Sequence, residues 1–369
     1  MKYWWRFVLI VLFVLFVAVS GYGLKTQPSS AQPSLVCGGI FTPLHYELKP
    51  GEVTELTVAS TEGALSGDVV RSLDASASGF LVGYGGENNP NSLSHLTSEG
   101  IENCPTVMGH VNAVWIDDEQ AETMHPTQDV WAVTDGAGAF QFHQGVWKNY
   151  LEMTNTTGST DGRGYTIAHD SQSDVFIGTY TGLAYFSAKS QAWATAKGQD
   201  ATLQSLLVNP KAGDQIHAIL LLGSEETWYG SIQTYGVQRL AGNGWQNYTA
   251  ENTPELASNN IRVIREAPDH TIWVGGDPGL AVFDRSSGTW RRVMLGEGPD
   301  QDRVIDVRFS GTEKDFTTVV ATLGGTFVLQ QGQTLLFDTA PALALAVNEQ
   351  EAILAIGTNG QGLHLGMLP

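Results

Sequence analysis

Residues 271–293 read TIWVGGDPGLAVFDRSSGTWRRV. An apolar run ends in glycine, a tight turn follows, and a second apolar run ends in Phe-Asp. After a polar turn an aromatic-led third run begins. This predicts three short strands of a meander, and a sheet of that size cannot bury its faces alone. Related segments recur: GFLVGYGG at 79–86, DVWAVTDGAGAFQF at 129–142, DVFIGTYTGLAYF at 174–186 and TWYGSIQTYGVQRL at 227–240. VVATLGGTFVL at 319–329 and AIGTNGQGLHL at 355–365 follow. Trp131, Phe176, Trp228 and Trp273 share one column, spaced 45, 52 and 45 residues apart. A period in the forties built of strands predicts a β-propeller, whose blades cover one another's faces.

The fullest copy has four strands: NNIRVIREA (259–267), TIWVGG (271–276), GLAVFD (279–284) and TWRRV (289–293). Further outer strands are VWKNY at 146–150, AWATA at 192–196 and GWQNY at 244–248. The aromatic columns are expected to fill the wedges between twisted sheets, a structural use. Seven strand sets are present, and the last lacks an outer strand. GEVTELTVAS at 51–60 alternates apolar and polar residues and is expected to pair with that last blade, leaving no open edge. The predicted fold is all-β: a seven-bladed propeller of four-stranded antiparallel blades over 46–369, preceded by a flexible tether at 25–45 and one hydrophobic helix.

That helix is read from FVLIVLFVLFVAVSGYGL at 7–24, which carries no charge and follows Lys2 and Arg6. Eighteen such residues just reach the length of a membrane span, and the basic flank favours a cytoplasmic N-terminus. The alternative is a signal peptide cleaved after AVS at 18–20. Either reading puts the remaining chain outside the cytoplasm, as a single-pass membrane protein or a secreted or periplasmic one. The only cysteines, Cys37 and Cys104, are expected to form a disulfide there. Lipidation of Cys37 is disfavoured by the twelve residues between it and Leu24. With 19 Lys and Arg against 38 Asp and Glu, the net charge of −19 argues against a nucleic-acid partner. The 42 glycines suit a chain with many reversals.

The pattern Asn-Asn-Ile, apolar-Trp-apolar-Gly, Gly-Leu, aromatic-Asp and Gly-Thr-Trp resembles the two-component regulator propeller repeat. Residues 258–293 carry it most fully, 164–196 and 227–264 in part. The resemblance implies a bacterial seven-bladed propeller with an extracytoplasmic ligand- or protein-binding, sensor-like role. The chain ends at blade seven with no kinase or DNA-binding segment, which leaves a signalling output without support.

No catalytic motif stands out. The nine histidines show no metal-ligand spacing, DGAG at 135–138 lacks the further acids of a calcium loop, and no metal or other cofactor is expected. No nucleophile elbow or phosphate-binding loop occurs. In a four-stranded meander the second-to-third-strand loop and the link between blades lie on one end. The loops offer Tyr84, Asp135, Tyr180, Tyr235, Asp277 and Asn359, with Gly324 and Gly325 in blade six. Residues just before first strands offer Asp68, His110, Arg163, Gln215, Asn260 and Arg303. This mouth is the candidate surface for an unknown protein or small ligand; Arg163 and Arg303 could hold an anion there or pair with Asp68 or Asp306. A non-enzymatic binding or scaffold module is the leading reading. A lyase or glycan hydrolase at the axial mouth and an assembly factor for an envelope or membrane complex are the alternatives. Two polar inserts, 86–109 and 117–128, interrupt blades one and two.

Overall fold

The computed structural model describes residues 37–368 except 78, 87–90, 105, 118–128, 155–159, 196–214, 224–225, 233–234, 243, 297 and 299. The expected helix at 7–24 and, but for Asp117, the insert at 117–128 lie outside these residues. Among the described residues no helix is long and apolar enough to cross a membrane.

Seven antiparallel sheets form seven blades. From inner to outer strand, blade 1 holds Val70–Ser76, Gly79–Tyr84, Leu93–Leu96, Gly100–Asn103 and Ile40–Pro43. Blade 2 holds Val111–Ile116, Val130–Thr134, Ala139–His143 and Val146–Tyr150. Blade 3 holds Gly164–His169, Val175–Thr179, Gly182–Ser187 and Ala192–Ala194. Blade 4 holds Gln215–Leu222, Glu226–Ile232, Val237–Ala241 and Gly244–Tyr248. Blade 5 holds Ile261–Glu266, Ile272–Gly276, Gly279–Asp284 and Thr289–Val293. Blade 6 holds Val304–Thr312, Asp315–Thr322, Gly325–Gln330 and Gln333–Asp338. Blade 7 takes Ala342–Asn348, Ile353–Thr358 and Leu363–Met367 from the end of the chain and Val53–Leu56 from near its beginning.

Each inner strand touches the next around the ring, and that of blade 7 touches that of blade 1. In blade 7 Val53 lies opposite Gly366 and Leu56 opposite Leu363. Sequence-distant strands thus share one sheet.

Blade 1 departs from the expected four strands. Ile40–Pro43 pairs with Gly100–Asn103 as a fifth, so the expected tether at 25–45 is folded from Cys37 onward. The segment at 86–109, expected to interrupt the blade, instead supplies it, since Leu93–Leu96 and Gly100–Asn103 are its third and fourth strands. Its polar residues are buried because they satisfy one another. Ser94 Oγ donates to Asn103 Oδ1 at 2.6 Å, and the backbone N–H of Gly39 donates to Glu102 at 2.8 Å. Cys37 and Cys104 form a disulfide with Cα atoms 5.4 Å apart, and Trp147 of blade 2 donates to the Cys37 carbonyl at 2.9 Å.

The aromatic columns sit at blade seams. Trp131 meets Phe186 of blade 3 edge-on at 4.9 Å, Trp228 meets Phe283 of blade 5 at 5.3 Å, and Trp273 meets Phe309 of blade 6 at 5.6 Å.

Nearer the axis a different rule governs the seams. A Cβ on Gly230 would lie 2.5 Å from Ile261 of the next blade, one on Gly275 2.5 Å from Val304, and one on Gly83 2.7 Å from Val111. At the seam from blade 2 to blade 3 the order is reversed: Val133 is large, and a Cβ on Gly164 would lie 2.7 Å from it. One partner at each of these seams has no side chain, so the backbones approach closely.

A threonine ends the second strand in four blades. Thr134, Thr179, Thr322 and Thr358 donate to the carbonyls of Gly138, Gly182, Gly325 and Gly362 at 2.7–3.0 Å. Each hydroxyl also accepts a backbone N–H from the turn, which fixes the loops of one face.

Candidate functional site

Every inner strand carries a register shift at its second residue, or in blade 4 its third, between Val70 and Ser72, Val111 and Ala113, Gly164 and Thr166, and Ile216 and Ala218. The same shift falls between Ile261 and Val263, Val304 and Asp306, and Ala342 and Ala344. A bulge leaves one residue unpaired and re-aims it. The seven skipped residues are Arg71, Asn112, Tyr165, His217, Arg262, Ile305 and Leu343, and all seven line one axial cavity of about 290 Å³. Three residues further along their strands, Arg265 and Arg308 line it as well, with Asp306 between them.

The ring is a connected polar arc facing an apolar one. Arg71 donates to Asn112 at 3.0 Å, and Asn112 donates to the Gly164 carbonyl at 2.9 Å. Tyr165 and His217 stack with centroids 4.0 Å apart. Burial, then the charge of Arg262, pushes His217 down to about 3, so its ring is neutral at physiological pH. Ile305 and Leu343 close the ring with hydrocarbon.

Below it lies a charged cluster. Asp306 accepts backbone N–H groups from Val307 at 2.9 Å and Leu345 at 3.2 Å, and lies 3.6 Å from Arg265 and 3.4 Å from Arg308. Burial, then the adjacent Arg308, pulls Arg265 down to about 10, which still leaves it cationic at neutral pH. Arg265 is set deep in the ring, yet 31% of its side chain stays open to the channel. Asp74 is also nearby; burial raises its carboxyl against the pull of Arg308. Among the described residues, His217 Nε2, Arg262 Nε and Arg265 Nε are buried without a hydrogen-bond partner. Leaving such a donor unmet costs about 1–3 kcal/mol.

Apart from Tyr84, the mouth residues singled out in the sequence sit around this channel, and of them only Asp135 lines it. Its N–H donates to the His110 carbonyl at 3.0 Å, and it forms an isolated bridge with Arg163 of the next blade. Tyr180 is exposed, with the Arg163 guanidinium 4.8 Å above its ring. His110 Nδ1 accepts the Gly86 N–H at 3.2 Å. Asn359 is exposed on the same face, bridged to Val69 of blade 1. Asn260 accepts the Asp277 N–H at 3.0 Å, and Gln215 and Tyr235 are half-buried on blade 4. Arg303 pairs with Asp277 at 3.1 Å, rather than with Asp68 or Asp306, because the loop of its own neighbouring blade reaches it first. Asp68 instead accepts the Val58 N–H at 2.7 Å.

Tyr84 does not belong to the mouth. It is fully buried in the core between blades 1 and 7, because it fills the strand-end position that threonine holds in four other blades. Gly85 is the loop residue there, and Leu323 holds that place in blade 6. The ring itself lies about two residues beyond the sequence-based column, as with His110 and Asn112, Arg163 and Tyr165, and Asn260 and Arg262. The signal that could have located it is the alignment of first strands, in which each ring position follows a small or β-branched residue.

No family model matches the sequence, and no curated protein matches it. Solved structures do match. The extracellular domain of BT4673, assigned to a hybrid two-component system of B. thetaiotaomicron, has a TM-score of 0.65 at 14% identity, covering 87% of this chain and 43% of that one. The extracellular domain of BT3049, assigned likewise, has a TM-score of 0.62 at 15% identity, covering 85% and 41%. The chain shares their propeller fold. PorZ, a surface component of the type IX secretion system of Porphyromonas gingivalis, has a TM-score of 0.56 at 15% identity, covering 82% and 47%. The chain spans less than half the length of each of these structures. Among the described residues no group of three or more His, Cys, Asp or Glu is placed to hold a metal ion.

Proposed function

We propose that the chain is a non-enzymatic binding module outside the cytoplasm, whose axial channel and surrounding mouth receive a small ligand or a protruding segment of a partner protein. The carrying observation is the ring of seven bulged residues, one per blade, that line a single cavity of about 290 Å³. Its chemistry varies from blade to blade while the seams beneath follow one packing rule. That separation suits recognition, in which a few placed polar groups orient a ligand against an apolar wall. The disulfide supports an oxidising compartment. The uncharged stretch at 7–24 after Lys2 and Arg6 supports a single-pass tether with the propeller outside.

The test uses the full chain extracted in detergent. Thermal-shift screening of a metabolite and peptide library is run on the wild type and on Leu343→Trp, which fills the channel from its apolar side. A compound that stabilises the wild type and not the variant supports the reading, since a ligand stabilises by mass action. Turnover of a compound that is lost in Leu343→Trp would replace it with catalysis at the mouth. Release of the protein from membranes by alkaline carbonate would remove the tether.

A further inference from the structure

The geometry points to an oxyanion-binding subsite inside the axial channel, built by Arg71, Arg262 and Arg265, for a small organic molecule that carries a carboxylate or phosphate on a compact apolar body. The inference rests on the reading of the channel as a binding site and names the chemistry that it takes.

Four of the chain's eleven arginines line this one cavity: Arg71, Arg262, Arg265 and Arg308. Two aspartates, Asp135 and Asp306, line it with them. In a chain of net charge −19, this is a local reversal of sign.

The acceptors at hand are already engaged. Asp306 takes two backbone N–H groups and faces both Arg265 and Arg308. Arg308 Nε is satisfied by the Leu345 carbonyl at 2.9 Å. Asp277 accepts from Arg303 at 3.1 Å and is 3.8 Å from Arg262. What remains is Arg262 Nε and Arg265 Nε, buried and without a partner among the described residues, on the same strand and lining the same cavity. Guanidinium N–H groups can only donate, and their planar fork matches the two oxygens of a carboxylate or phosphate. His217 Nε2 is a third unpartnered atom on the adjacent blade, and its neutral ring adds no competing charge.

The opposite wall limits the rest of the ligand. Ile305, Leu343 and Ala344 supply hydrocarbon, and the stacked Tyr165–His217 pair supplies a flat face. A cavity of about 290 Å³ suits a small metabolite. The overall acidity works against a long polyanion such as nucleic acid.

The experiment is calorimetric titration of the full chain in detergent at low ionic strength with succinate, inorganic phosphate and neutral succinamide. Binding of succinate or phosphate, with succinamide at least tenfold weaker, is expected. Whichever anion binds more tightly names the source of the oxyanion. Arg262→Gln with Arg265→Gln is expected to weaken binding at least tenfold. Should that pair fail to fold, Arg71→Gln, at the exposed rim, is expected to weaken it severalfold. Arg262→Lys keeps the charge without the fork and is expected to fall between. Silence from both anions, equal affinity for succinamide, or unchanged affinity in the glutamine variants overturns the subsite. If neutral compounds still stabilise the protein and lose that effect in Leu343→Trp, the channel remains a binding site and only its anion specificity falls.

Discussion

His364 lies 2.6 Å through its Nδ1 from Asp338, the last residue of blade 6's outer strand, and so ties blade 6 to blade 7. Burial alone would lower the His364 ring, but Asp338 outweighs it and raises the ring above its ordinary value of 6.5. Burial alone would raise the Asp338 carboxyl, but the His364 hydrogen bond and charge, with the backbone N–H groups of Ala340 and Thr339, together outweigh that and lower it below 3.8. The histidine's contribution is fully present below 6.5 and is lost as pH rises through the raised folded value. The carboxylate's is present above 3.8 and is lost as pH falls through the lowered one. Stability from this pair is therefore greatest between about pH 4 and 6.5. Melting curves should show a decline from pH 6 to 8.5 that flattens in Asp338→Asn. The same slope in that variant would place the titration elsewhere.

A second ionic tie joins blades 4 and 5. Glu226 accepts from Arg239 Nε at 2.8 Å, Trp228 Nε1 at 2.9 Å and Arg285 Nη2 at 2.6 Å. Burial pushes its carboxyl up, yet the two arginines hold it below its ordinary value. Glu226→Gln leaves Arg239 without a carboxylate partner and Arg285 with Glu266 alone, 3.2 Å away, and should cost about 3 kcal/mol in denaturant unfolding at pH 7. The difference from wild type should shrink as pH falls through the depressed folded value. A loss below about 0.5 kcal/mol would mean that solvent already screens the cluster.

The seams predict a compensated pair. Gly164→Val alone places a side chain against Val133, whose Cβ already lies 2.7 Å from where the new Cβ must go, and should cost about 1–3 kcal/mol. Adding Val133→Gly should recover at least half of that, as it recreates the order found between Gly230 and Ile261. A double-mutant cycle with coupling near zero would show that the seam relaxes by some other route.

The disulfide closes a separation of 67 residues and pins the fifth strand of blade 1. Cys37→Ser with Cys104→Ser should lower unfolding stability by about 4 kcal/mol in the loop-entropy model. Limited proteolysis should then cut first near residues 37–45, because the Gly39–Glu102 and Trp147–Cys37 hydrogen bonds are left to hold that edge. Equal stability with and without reductant would contradict this.

The blades read most easily where large apolar residues repeat. Trp131, Phe176, Trp228 and Trp273 mark second strands because each must fill a wedge, so their spacing reports the fold directly. Blade 1 was hard to read beyond its second strand. Ser94, His95, Glu102 and Asn103 look like an exposed loop, yet all are strand residues, and burial drives His95 down to about 4. Their hydrogen bonds to one another and to the N-terminal segment are long-range facts that local pattern does not carry. The channel ring escaped for another reason. A bulge changes pairing without a required residue type, so Arg71, Tyr165 and Ile305 share a position and no chemistry. Tyr84 misled because its aromatic side chain, one residue before a turn, looks like a loop residue and is core.

The repeated bulge has an evolutionary consequence. Each skipped residue is freed from the backbone ladder and lines the channel, so its side chain can change without a change in the register of its blade. The seven positions from Arg71 to Leu343 behave like the characters of a combination lock. A lineage can reset one character by a point mutation, test a new cargo, and keep the same toroidal chassis throughout.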